Sequence, residues 1–150
     1  MGFLRPDADS IAGNWTNESG STPIYSSIDE VVASDADYAA SGNLELSTPD
    51  TYRVRLSDVS GATLPCTVRY RYKSQKSGAQ QVDLIVRLLQ GASTVTSWSH
   101  TDISTSPVTA AQVVAAGITD FTDLSLEFQA SLAGGLSGQP MGLLLTLTYP

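Results

Sequence analysis

The stretch Thr51-Tyr-Arg-Val-Arg-Leu56, followed by Cys66-Thr-Val-Arg-Tyr-Arg-Tyr-Lys73, decides the fold class. In both segments apolar and charged or polar residues alternate one by one. Successive side chains of a β-strand point to opposite faces, so a period of two predicts two half-buried strands. The basic residues of each segment then share the outward face of their strand.

Further strands are predicted around this pair. Val82–Leu89 has apolar residues on both faces towards its end, which is typical of a central strand. Gln90–Ser93 is predicted to be a hairpin turn, and Thr94–Thr101, rich in Thr, Val and Trp, the returning strand. Additional strands are predicted at Asn43–Ser47, Leu124–Gln129 and Gly142–Tyr149, and a short strand or helical turn is predicted within 24–42. A glycine-rich loop is predicted over 132–141. Val108-Thr109 is predicted to begin a short edge strand, and the alternative for Ala110–Ala116 is one or two turns of helix.

This spacing of about seven to nine short strands with no long helix predicts an all-β protein, an antiparallel β-sandwich of the jelly-roll type. Residues 1–23 are polar and turn-rich and are predicted to be an extended N-terminal arm, with residues 24–150 as a single β-sandwich domain. A hydrophobic content of 41% with only 15% charged residues excludes intrinsic disorder and a coiled coil.

Charge is distributed unevenly along the chain. The net charge is −7, and residues 1–50 hold nine acids and one base, whereas residues 51–100 hold seven bases and two acids. Because nucleic-acid affinity comes mainly from neutralising phosphates, an acidic chain of this kind is predicted to have no nucleic-acid partner. The segregation suggests charge pairing within the fold or between copies, and simple solubility is the alternative.

The single cysteine, Cys66, excludes a disulfide within the chain and a cysteine-based metal site. Acidic pairs such as Asp120 and Asp123 are interpreted as turn-forming groups rather than calcium ligands. No metal or cofactor is therefore expected. The N-terminus lacks the apolar core of a signal peptide, and no apolar run reaches the roughly 18–20 residues that span a bilayer. Synthesis in the cytoplasm and no membrane partner are expected.

Catalytic patterns are weak. His100 and Asp102 lie two positions apart and with a serine would resemble a triad, but no Gly-x-Ser-x-Gly nucleophile elbow follows a strand. A glycosidase needs a carboxylate pair, and nothing singles one out among fifteen acids. We therefore expect no enzymatic activity and assign no catalytic residue.

The basic residues of the two deciding strands are the strongest candidate interaction site. Arg53 and Arg55 share one face of the first strand, and Arg69, Arg71 and Lys73 share one face of the second strand. If the strands lie in one sheet, like charges cluster, and acids from the first third, in the same chain or a neighbour, are expected to neutralise them. The alternative is a solvated outer sheet face.

The predicted arm supplies further candidates. Phe3, Leu4, Arg5 and Trp15 are expected to contact a partner protein or a neighbouring subunit, since irregular arms often serve interactions. Trp98 and Trp15 are the candidates for stacking on sugar rings if the sandwich binds a glycan, with burial in the core as the alternative.

A resemblance adds to these predictions. The segments Tyr25–Tyr38, Val68–Lys73, Leu88–Ile103 and Ile118–Phe128, with Gly13-Asn-Trp-Thr16, resemble a family of small virion proteins of tailed bacteriophages. The resemblance runs from about residue 3 to residue 128, and the family carries no catalytic signature to transfer.

The resemblance implies a virion structural protein. The first role it implies is capsid decoration, a cement protein on the outer head surface that bridges capsomers. Its partners would be the major capsid protein and further copies of itself, with a homo-oligomer expected and a trimer attractive by analogy. The alternative is a tail- or fibre-associated carbohydrate-binding module that contacts the host surface. A hydrolase acting on host polysaccharide is a third hypothesis.

Overall fold

The computed structural model describes residues 4–29, 32, 34–76, 79–134 and 143–146. These residues form ten strands and one turn of 3-10 helix at Tyr25–Ser27. The strands are β1 Pro6–Ile11, β2 Thr16–Asn17, β3 Ala39–Ala40, β4 Asp50–Leu56, β5 Cys66–Ser74, β6 Gln81–Gln90, β7 Ser93–His100, β8 Val108–Val114, β9 Leu124–Gly134 and β10 Leu143–Thr146.

The strands build two five-stranded antiparallel sheets. Sheet A has the order β1-β4-β9-β6-β7, and sheet B has the order β2-β3-β10-β5-β8. The antiparallel partners are nested along the chain: β6 pairs with β7, β5 with β8, β4 with β9 and β3 with β10. Such nesting is that of one long hairpin rolled into two facing sheets, which is the jelly-roll arrangement. The predicted all-β sandwich is therefore confirmed.

The core lies between the two sheets and is rich in aromatic rings. Tyr52 of β4 stacks with Phe128 of β9 at a centroid distance of 6.3 Å and with Trp15 at 5.8 Å. Tyr70 of β5 meets Phe128 edge-on at 6.2 Å and so joins sheet B to sheet A. Aromatic pairs of this kind add about 0.5–1.5 kcal/mol each beyond the burial of their surface.

The predicted strands over 51–56, 66–73, 82–89, 94–101 and 124–129 are confirmed, with β6 inside its sheet as predicted for a central strand. The helical alternative for 110–116 is wrong, because β8 continues to Val114 in register with β5. Residues 43–47 form no strand but make two isolated bridges, Glu45 with Thr48 and Leu46 with Leu132. Of the predicted glycine-rich loop over 132–141, residues 132–134 belong to β9, and the rest lies outside the described part of the chain. The last strand, predicted at Gly142–Tyr149, is confirmed over Leu143–Thr146, and the remainder of that prediction lies outside the described residues.

The predicted extended arm is corrected by the structure. Residues 6–11 form β1, an edge strand paired with β4, and residues 16–17 form β2 in the other sheet. Asp9 anchors this segment, because its carboxylate accepts hydrogen bonds from the backbone N–H of Ile24 (2.7 Å) and Tyr25 (2.9 Å) and from the hydroxyl of Tyr52 (2.9 Å). The segment is thereby built into the sandwich.

Candidate functional site

The five basic residues of β4 and β5 do not form one surface. The chain crosses from sheet A to sheet B between these strands, and the two strands are not neighbours in either sheet. Arg53 and Arg55 lie on the outer face of sheet A, whereas Arg69, Arg71 and Lys73 lie on the outer face of sheet B. The condition for a single basic cluster, that the two strands share a sheet, is not met, and the basic residues form two separate sets on opposite faces.

The arginines of sheet A are neutralised by carboxylates of the same chain. Arg53, Glu127 and Arg87 lie side by side on three adjacent strands. Glu127 is only 8% exposed. Its Oε2 accepts from the Nε of Arg53 at 3.0 Å and its Oε1 from the Nη1 of Arg87 at 2.9 Å. Arg87 also donates to the Oε1 of Gln129, and Arg55 pairs with Asp7. Sequence patterns did not single out Glu127, since alternation places it on a face without naming its neighbours.

Of the three basic residues on sheet B, only Arg71 forms an ion pair with a described residue. Arg71 donates two hydrogen bonds of 2.9 Å to the carboxylate of Asp35, which comes from the acidic first third of the chain. These hydrogen bonds, with the charges of Arg71 and Lys73, lower the pKa of Asp35. Arg69 makes no ion pair with any described residue, and its buried Nε has no acceptor among them. This face therefore holds a cation that has no carboxylate partner within the described part of the chain.

The candidate contacts of the N-terminal segment are placed as follows. Phe3 lies outside the described residues. Leu4 packs half-buried against the core, and Arg5 is exposed, with its backbone hydrogen-bonded to Ser57. Trp15 is 1% exposed and stacks on Tyr52. Its predicted contact and sugar-stacking roles are corrected, because a buried ring has no face to present.

Trp98 lies on the inward face of β7, opposite the buried Val86 of β6. Its ring is half-buried and tilted against Tyr70 at a centroid distance of 6.2 Å. Trp98 is therefore part of the contact between the two sheets rather than a fully exposed ring.

His100 lies between two tyrosines of the opposite sheet. Its Nε2 is 2.8 Å from the hydroxyl of Tyr70, and its Nδ1 is 2.9 Å from the hydroxyl of Tyr72. A neutral imidazole has one donor and one acceptor nitrogen, so one tyrosine donates and the other accepts. Burial lowers the pKa of His100 and raises the pKa of both tyrosines. The arrangement joins the sheets with the histidine in its neutral form.

The triad hypothesis finds no geometric support in this arrangement. Both ring nitrogens of His100 are engaged by tyrosines, whereas the carboxylate of Asp102 forms an ion pair with Lys76. The backbone N–H of Asp102 donates to the carboxylate of Asp83 at 2.9 Å. The two residues are thus tied to different partners, and sequence spacing alone did not reveal those partners.

The acidic loop before β9 is organised by hydrogen bonds within the chain. The Oε1 of Gln90 accepts from the backbone N–H groups of Thr119 (2.9 Å) and Asp120 (3.1 Å). Asp120 in turn accepts from the backbone N–H and hydroxyl of Thr122, which lowers its pKa. Among the described residues, no group of three or more His, Cys, Asp or Glu side chains is placed to hold a metal ion.

Among the residues that the structure describes, no helix has the length and apolar character needed to cross a bilayer.

A scan against protein-family models found no matching family, and a search of curated proteins found no matching relative.

Proposed function

We propose that this chain is a structural protein of a bacteriophage particle, a capsid decoration or cement protein that attaches to the outer surface of the head. The resemblance of its segments to small virion proteins supports a virion role. The jelly-roll sandwich is compatible with this role because its two outer sheet faces can bind other proteins. Its partner in this role is the major capsid protein, and its location is the capsid surface. A protein of this kind acts by attachment and needs no catalytic residue.

The observation that carries the attachment proposal is the state of the basic residues on sheet B. On sheet A, Arg53 and Arg87 share Glu127, and Arg55 pairs with Asp7. On sheet B, Arg69 has no carboxylate partner among the described residues, and Lys73 influences Asp35 only through its charge. The outer face of sheet B therefore carries a guanidinium group to which a carboxylate of a partner can bind.

Guanidinium groups suit this role because they bind carboxylates through two parallel hydrogen bonds that fix orientation as well as add energy. A single such contact at an exposed site contributes little, about 0–1 kcal/mol. A shell presents many equivalent binding sites. When copies of this chain are linked to one another, several weak contacts form at once, and the resulting avidity exceeds the affinity of a single contact.

The carbohydrate-binding alternative receives no comparable support from the described residues. Trp15 is buried, and Trp98 faces inward against Tyr70. The hydrolase hypothesis loses its histidine candidate, because His100 is engaged by two tyrosines. We therefore keep attachment to the head as the proposed function.

A binding experiment tests the proposal. Particles that lack this protein are mixed with the purified wild-type chain, with Arg69→Glu and with the matched control Arg55→Glu on the opposite sheet face, and bound protein is measured after sedimentation. Arg69→Glu removes one contact of about 0–1 kcal/mol and adds a like-charge repulsion, so it is expected to bind several-fold more weakly, whereas the control keeps wild-type occupancy. Equal binding of all three chains, or no binding of the wild type, would overturn the proposal.

A further inference from the structure

The edge strands of the sandwich are protected unequally. β1 contains Pro6, Asp7 and Asp9 and pairs with β4 through two register shifts, and β2 has only two residues. Proline, charge, irregular pairing and short length are the features that stop a sheet edge from pairing with another chain. β7 and β8, the opposite edges, have eight and seven residues and contain no Pro, Lys, Arg, Asp or Glu. β8, whose pairing with β5 is regular, therefore lacks all of these features, and β7 has only one register shift, in its pairing with β6.

The edge strands β7 and β8 lie on the same side of the molecule. Tyr70 belongs to β5, the neighbour of β8, and its ring contacts Trp98 and His100 of β7. Among the described residues, no strand pairs with the outer edge of β7 or of β8. We call these two neighbouring edges together the open edge.

β8 exposes apolar side chains along the open edge. Val113 is 69% exposed and Val108 is 40% exposed. Ala111, at the centre of the strand, is also exposed and has a small side chain. An uncharged edge with exposed valines is a template for pairing with a further strand.

We propose that β8 is an interface between two copies of this chain, in which the two β8 strands pair antiparallel about Ala111. In this register Val108 lies opposite the Val114 position of the second copy, and Thr109 lies opposite the Val113 position. Exposed valines are thereby covered, and no charge meets its own copy because β8 has none. The same pairing through β1 would bring aspartates together, which is destabilising.

The size of the contact agrees with a reversible dimer. β8 has seven residues and is therefore ~24 Å long, at ~3.4 Å per residue. The open edge includes both sheets, which pack ~10 Å apart, so with outer side chains it is ~20 Å wide. The product is ~500 Å² per copy or ~1,000 Å² in total, which reaches the lower limit of a specific interface.

A twofold pairing of this kind closes after two copies, so it specifies a dimer rather than the trimer suggested by analogy. The inference concerns self-association in solution and stands independently of attachment to a capsid. A second copy is the occupant favoured by the structure, because the uncharged strand is compatible with itself in a register that covers both valines.

Sedimentation equilibrium tests the dimer. The wild-type chain is expected to reach twice its mass of 15.8 kDa as its concentration rises through the micromolar range. Ala111→Lys places two lysines opposite each other, with Arg69 of each copy in the same row, and is expected to weaken the dimer at least about tenfold. Thr67→Lys adds the same charge to the same face, one strand away from the edge, and is the matched control.

A cross-linking experiment tests the register. In a Cys66→Ser background, Ala111→Cys brings two thiols to facing positions, whose Cα atoms are ~4.5–5.5 Å apart in an antiparallel pair and therefore within disulfide range. Thr67→Cys leaves the thiols at least three strand spacings apart, ~14 Å. We expect mild oxidation to cross-link the first variant only. A monomeric wild type, a dimer unaffected by Ala111→Lys, or equal cross-linking of both cysteine variants would each overturn the inference.

Discussion

Replacing Glu127 by glutamine tests the charge network on the outer face of sheet A. The carboxylate is held between Arg53 and Arg87 on the two neighbouring strands. A glutamine side chain keeps the shape of the glutamate but loses the negative charge and one acceptor oxygen. The substitution therefore leaves two adjacent guanidinium groups without their shared counter-charge while the packing of the strand is retained.

The expected loss follows from the exposure of the three groups. The side chain of Glu127 is 11% exposed, and those of Arg53 and Arg87 are 28% and 26% exposed. Breaking a fully buried ion pair costs about 3–5 kcal/mol, whereas a solvent-exposed pair contributes about 0–1 kcal/mol. A buried carboxylate with partly exposed arginines lies between these limits. We expect Glu127→Gln to lower the free energy of unfolding by about 2–3 kcal/mol, which corresponds to a fall in Tm of roughly 4–12 °C for a domain of this size.

Urea unfolding followed by tryptophan fluorescence measures this change, because Trp15 is buried and Trp98 half-buried. The matched control is Asp35→Asn, which removes the carboxylate of the exposed pair with Arg71. Asp35 is 52% exposed in that pair, so the control is expected to cost under about 1 kcal/mol. A Glu127→Gln loss no larger than that of the control would refute the argument that burial makes this network important.

Two further predictions concern the interior. Because burial lowers the pKa of His100 below its usual 6.5, the unfolded chain binds more protons than the folded chain below that pH. The free energy of unfolding should therefore fall as the pH decreases below 6.5. His100→Gln should flatten this part of a urea-unfolding pH series, and an equally steep slope in the variant would contradict the role given to His100. Asp9→Ala removes the acceptor of two backbone N–H groups and of the Tyr52 hydroxyl, and it is expected to cost about 2–4 kcal/mol in thermal unfolding. The control is Asp58→Ala on an exposed carboxylate, and a similar small loss for both variants would count against an anchoring role for Asp9.

The strands were largely predictable because alternation is a local signal. β4 and β5 follow from the period of two, and the turn at Gly91, whose φ is 58°, follows from the sequence between β6 and β7. Which strands become neighbours is not a local property. Arg53 and Arg69 occupy equivalent outward positions in similar strands, yet the sandwich places them on opposite faces.

The partners of polar groups were not predictable, since they come together only in the fold. Asp9 meets Tyr52 across 43 positions of sequence, and His100 meets Tyr70 across 30. The N-terminal segment was misassigned for the same reason. Its polar composition favours a loop, but burial of Trp15 and the hydrogen bonds of Asp9 stabilise it as part of both sheets.

Residues 110–116 show tertiary pairing prevailing over local preference. Two consecutive alanines at 110 and 111 favour a helix over a strand in isolation. In the structure, Ala110 and Val114 face the core while β8 pairs with β5 along its whole length, from Val108 opposite Tyr72 to Val114 opposite Cys66. Cross-strand packing and a full ladder of hydrogen bonds outweigh the weak preference of alanine.

The central claim is attachment to the outer surface of a phage head, and a cryo-EM map of the particle with and without this protein tests it most directly. The account predicts density for a β-sandwich at regular positions over the capsid lattice, absent from particles that lack the protein, with the outer face of sheet B against the shell. Density confined to the tail, or particles that are identical with and without the protein, would contradict it.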